Sequence, residues 1–161
     1  SDVCSSDLSP VILGTERYVT ELGVQQISSG VLPQGTVVLS SRAPIGYLAI
    51  SAVPVVINQG IIGMICDGIL PFSFIFNWVK LNLDRIKANA GGSTFAEINK
   101  SSFRAIKAVI PARDVLMDYS NVTSGLLQKV VANGQHYATL SRVRDFLIPK
   151  LMNGEIRVKD A

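Results

Sequence analysis

Histidine is almost missing from this 161-residue chain: His136 is the only one, and it falls inside a long helical pattern far in sequence from the serines of the N-terminal half. A serine–histidine charge-transfer arrangement therefore has no second partner to draw on, and His136 reads as a solvent-facing helix residue. Cysteine is equally scarce, with only Cys4 and Cys66, too few for a zinc site. Glycine-rich phosphate loops are absent, as is the glycine fingerprint of a dinucleotide site on a strand–helix turn. No nuclease-type cluster of carboxylates and lysine is found either. Catalytic residues: none; metal ligands: none. The chain is expected to have no enzymatic activity alone.

Long hydrophobic runs are also missing, although the mean hydropathy is +0.35. The most apolar stretch, residues 53–79, is broken by Pro54, Asn58, Gln59, Asp67, Gly68 and Pro71, so it holds no run of about 18 apolar residues. No membrane is expected as a partner. The surplus hydrophobicity is expected to cover surfaces buried against other chains or other parts of the fold. With 48% hydrophobic and 17% charged residues the chain is globular. Its length suits one domain plus an appended element, and no internal repeat is visible.

Residues 1–8, Ser-Asp-Val-Cys-Ser-Ser-Asp-Leu, match the conceptual translation of a common short-read sequencing adapter and are read as non-native. Removing Asp2 and Asp7 takes the acidic count from 12 to 10 and the formal charge from +3 to +5. It leaves Cys66 as the one cysteine, which excludes an intrachain disulfide and fits a reducing cytoplasm. Truncation at the N-terminal side is the corresponding expectation, and the ending soon after Gly154-Glu155-Ile156-Arg157-Val158 is the expected true C-terminus.

The organising stretch is Ser40-Ser41-Arg42-Ala43-Pro44-Ile45-Gly46-Tyr47-Leu48-Ala49-Ile50. It sets a polar turn with two breakers between strands expected at 36–39 and 47–51. Further strands are expected at 55–57 and 61–66, and 20–23 reads as a helical turn stopped by Gly23. From Pro71 to Ala88 apolar residues recur at three and four, the mark of an amphipathic helix closed by Gly91-Gly92. One or two helical turns follow at 99–104, then a strand at 105–110 stopped by Pro111.

From residue 113 the pattern becomes a seam, with Leu126, Val130, Asn133, Tyr137, Leu140, Arg144, Leu147 and Leu151 as the helix interface, extended towards its start by Val115 or Leu116, Tyr119 and Val122 with a local stutter. A helix of roughly 35 residues, or about 50 Å, is implied. Polar Asn133 and Arg144 on such a seam are residues that fix register. The alternative is a helix packed on its own domain. Gly154 ends the helix, and 156–158 reads as a short strand.

The ordered succession SSRAPIGYLAI, NQG, GGSTFAEINK, a proline, and a long helix ending RDFLIPKLMNGEI resembles the specificity subunit of type I restriction-modification systems. The likeness covers roughly residues 15–158. It implies an α/β (α+β) fold: a compact mixed-sheet target-recognition domain at 9–111, a long spacer and dimerisation helix at 112–153, and a tail at 154–161. It also implies double-stranded DNA, modification (methyltransferase) subunits and a restriction (endonuclease/translocase) subunit as partners, and a second copy through the helix. S-adenosylmethionine, ATP and Mg would belong to the partner subunits, with no cofactor bound by this chain. An amino-methyltransferase motif of the Asn-Pro-Pro or Asp-Pro-Pro kind is accordingly absent. A full family member carries two domain–helix units where this chain shows one.

Charge agrees with a DNA partner without requiring it: residues 1–99 carry 5 basic and 7 acidic groups, residues 100–161 carry 10 and 5. The candidate DNA-binding residues are Ser41, Arg42, Asn58, Gln59, Lys87, Gly92, Ser93, Thr94, Lys100 and Arg104. Arg42 has the fork to pair with guanine, and Asn58 or Gln59 the amide to pair with adenine. Because these motifs are shared by proteins that read different sequences, a second role is weighed beside the first: satisfying backbone groups at strand ends. Gly91 to Thr94 can approach a phosphate through backbone amides, or simply stop a helix. The rival functional reading is a degenerate half-subunit that acts only as a protein-interaction module.

Overall fold

The computed structural model describes residues 10–15, 17–66, 68, 70–92 and 96–157. Two β-branched runs form its centre. β2 (Val37–Ser40) pairs antiparallel with β3 (Leu48–Ser51) on one side and with β4 (Ile61–Met64) on the other. The short β1 (Val11–Ile12) adds parallel to β3, giving a four-stranded mixed sheet in the order β1-β3-β2-β4. Every residue of β2 is buried, so its run is apolar without alternation, as a strand covered on both faces must be.

Four strands are present, but the expected one at 55–57 is not among them. Val55 makes only an isolated bridge with Leu32, because Pro54 before it has no N–H to donate and Asn58 begins a turn three residues later. β1 supplies the fourth strand instead. The helical turn at 20–23 extends through Gly23 to make α1 (Glu21–Gln25), with Thr20 accepting from the Gly23 N–H as its cap.

The amphipathic pattern of 71–88 folds as two helices, α2 (Phe72–Leu81) and α3 (Leu83–Ala88). Asn82 divides them: its side-chain amide donates to the Trp78 carbonyl at 2.8 Å, competing with the main-chain ladder. The expected apolar stripe still faces inward across the break. Val79 and Ile86 are fully buried, and with Leu39, Ile45, Ile62, Ile98 and Ile106 they form the core cluster. Asn99 then caps α4 (Lys100–Arg104) by accepting from the Ser102 N–H.

Residues 105–110 do not form the expected strand. Ile106 inserts into the core, but residues 107–110 run on without a ladder partner, and Val109 is 88% exposed. The β-branched composition is not enough on its own, since strand preference measures packing against neighbours and no strand among the described residues pairs with this segment.

Helix α5 (Arg113–Met152) is 40 residues long, about 60 Å at 1.5 Å per residue. It docks on the rest of the chain along one face. Leu116 is buried, Tyr119 accepts from Asn77 Nδ2 at 2.6 Å, and Thr123 Oγ1 pairs with Ser73 Oγ at 2.8 Å. Further on, Gly134 lets Leu13 approach so closely that a Cβ there would lie 2.7 Å from its methyl. Gly154, with φ of 74°, ends the helix as expected. Ile156 and Arg157 are not in a strand, and Val158 lies outside the described residues. No helix among the described residues is long and apolar enough to cross a membrane.

Candidate nucleic-acid interface

Beyond β2 the chain enters a tight turn built around Ser40. Its hydroxyl donates to the Pro44 carbonyl at 2.7 Å and accepts from the Gly46 and Tyr47 N–H groups at 3.0 and 2.8 Å. Ala43 has φ of 53° and is followed by a cis peptide to Pro44, while Gly46 has φ of 121°. Gly46 also makes room: a Cβ there would lie 3.2 Å from the Leu83 methyls and 3.5 Å from Lys87 Cε. The Lys87 stem therefore lies against this turn.

Ser41 and Arg42 extend β2 into a corner where three separate segments meet. The Ser41 N–H donates to the Gly60 carbonyl at 2.8 Å, and its own carbonyl accepts from Ile98 at 3.0 Å. Arg42 bridges Glu97, with a guanidinium–carboxylate distance of 3.7 Å, and a Cβ on Gly60 would lie 3.2 Å from Arg42 Nε. Asn58 Oδ1 accepts from the Gly60 N–H at 2.9 Å, closing the turn on the third segment. Gly91 and Glu97 exchange two main-chain hydrogen bonds, so the loop between them is pinned at its base.

The motifs seen in sequence thus converge. Ser41, Arg42, Asn58, Lys87, Gly91 and Glu97 gather around one strand end, and Gly92, next to Gly91, has φ of 111°. Ser93 and Thr94 lie outside the described residues. The hydrogen bonds give Ser40 and Asn58 main-chain groups to satisfy, the scaffold role weighed above. Arg42 is engaged by Glu97, which the sequence shows inside GGSTFAEINK; that the two pair leaves no local signal across 55 positions. Ser41 Oγ is buried with no hydrogen-bond partner among the described residues.

On the other side of the Asn58 turn lies an open groove of about 860 Å³. Asn58, Gln59 and Lys100 line it together with Arg17 and Tyr18 of the connector that follows β1. Arg104, in the last turn of α4, is exposed and has no hydrogen bond or ion pair to another described residue. The helix-interface residues form a separate surface. Leu126, Tyr137 and Leu140 are 60%, 64% and 67% exposed, Asn133 and Arg144 are exposed, Val130 and Leu151 somewhat less so, and Leu147 is half-buried. They run about a quarter turn round α5 from the face that packs on α2 and β1. The helix does pack on its own domain, as the alternative reading had it, through Leu116, Tyr119, Thr123 and Gly134, of which Leu116 and Tyr119 are early positions of the seam.

A small mixed sheet thus ends in interlocked polar turns and is joined to a long helix that carries an exposed apolar stripe. No group of three or more potential metal ligands occurs among the described residues. Residues 8–141 match the model of the type I restriction modification DNA specificity domain, and the chain belongs to that family. Among curated proteins it is 34% identical over 111 residues to the type I restriction enzyme MjaIX specificity subunit of Methanocaldococcus jannaschii, covering 68% of this chain and 26% of that protein. It is 24% identical over 148 residues to the HindI specificity subunit of Haemophilus influenzae, covering 90% of this chain and 32% of that one. The chain spans between about a quarter and a third of the length of these relatives.

Proposed function

We infer that the chain is a DNA sequence-specificity element of a type I restriction-modification complex. The α/β part, residues 9–111, reads one half of a bipartite target. Helix α5 sets the distance to the other half and docks modification subunits. The observation that carries this reading is the family match across residues 8–141, which includes both the interlocked turns and most of the helix. The chain does no chemistry itself. Its partners transfer a methyl group from S-adenosylmethionine to adenine, or cleave DNA with ATP and Mg, in the cytoplasm.

Methylation mapping tests the proposal. In cells expressing the gene with its modification partner, a new bipartite methylated motif is expected. Absence of any such motif, with both proteins present, overturns it. The exposed stripe on α5 favours one further reading, an interaction module that binds modification subunits without reading DNA. Only the recognition reading predicts retention of particular duplex sequences at physiological salt.

A further inference from the structure

We propose that the groove between the connector carrying Arg17 and Tyr18 and the 53–59 segment is a DNA-backbone clamp, with Arg17 and Lys100 as its phosphate contacts. The inference rests on the DNA-specificity reading and adds to it a location and two residues, Arg17 and Tyr18, that no motif marks. Its support is the pattern of charge and hydrogen-bonding capacity. None of the described residues lining the groove is acidic, and both cations lie on its walls. Neither Arg17 nor Lys100 forms an ion pair with another described residue, in contrast to Arg42, whose charge is met by Glu97.

Asn58 accepts from Gly60 through Oδ1, which leaves its amide N–H donors for a ligand, and Gln59 beside it makes no side-chain hydrogen bond to a described residue. Tyr18 is 87% exposed at the same wall. Two cations, free amide donors and an exposed ring match a polyanionic backbone with sugars and bases attached. An apolar peptide would leave both charges without a partner. Arg42, on the far side of the Asn58 turn, then acts mainly within the frame.

The test uses the full chain with its modification subunit and a duplex carrying its methylation target, with bromodeoxyuridine substituted along the site. Irradiation is expected to crosslink DNA to Tyr18. Arg17→Ser and Lys100→Ser are each expected to lower the slope of log affinity against log salt by about one, and to weaken binding about fivefold near 0.15 M salt. Retained duplex with wild-type slopes in both variants and no crosslink within residues 13–31 overturns the clamp while leaving DNA recognition standing. Failure of the wild-type complex to bind any duplex removes both. Protection of residues 13–31 by the modification subunit without DNA also overturns the clamp.

Discussion

Ser40 and Ser41 are adjacent, both buried and alike in sequence, yet the structure predicts opposite responses to alanine. The Ser40 hydroxyl serves three main-chain groups: the Pro44 carbonyl and the Gly46 and Tyr47 N–H groups. Gly46 has a fallback in the Ser40 carbonyl at 3.3 Å, so Ser40→Ala strands chiefly the Tyr47 N–H. An unsatisfied buried group costs about 1–3 kcal/mol, so a loss of about 2 kcal/mol is expected. For a chain of this size that is a fall in melting temperature of about 4–8 °C. Ser41 Oγ has no hydrogen-bond partner among the described residues to lose, and Ser41→Ala removes a desolvated hydroxyl from the interior. Its expected effect runs from neutral to a gain of about 1 kcal/mol. Urea titration of both variants, followed by circular dichroism, gives the answer in the midpoints if the slopes stay equal. Equal destabilisation by both substitutions would refute the reasoning, since it would mean that side-chain volume and not hydrogen bonding governs this turn.

On α5, Leu140→Asp and Leu147→Asp should abolish co-purification with the modification subunit, while Leu140→Asp, at an exposed site, leaves the unfolding midpoint within about 0.5 kcal/mol of wild type. At Gly134, substitution by valine drives a side chain into Leu13 and should destabilise by about 1–3 kcal/mol; partial recovery with Leu13→Ala in a double-mutant cycle would tie the loss to that contact. The Arg42–Glu97 pair is more than two-fifths exposed on both sides. A double-mutant cycle there should return under about 1 kcal/mol of coupling, and a larger value would mean that the guanidinium is held by more than this carboxylate.

Sequence pattern was most informative where one physical cause dominated. Apolar spacing located Val79 and Ile86 in the core, because a buried helical face must repeat near 3.6 residues. It failed where two causes competed. The strand expected at 105–110 has the right composition but no neighbour to pair with, and the single helix expected at 71–88 divides where Asn82 turns its amide on the Trp78 carbonyl. The interface was legible as motifs and not as an arrangement. Arg42, Asn58, Gly91 and Glu97 were visible in their motifs, whereas the pairing of Arg42 with Glu97 and the groove wall of Arg17 and Tyr18 arise from contacts between distant segments.

The corner at the end of β2 is tied by main-chain atoms: Ser41 to Gly60, Ile98 to Ser41, and Gly91 with Glu97 in both directions. Peptide groups are the same in every residue, so these ties do not depend on which side chains the intervening loops carry. Mutation can therefore change what those loops display without renegotiating how they are anchored.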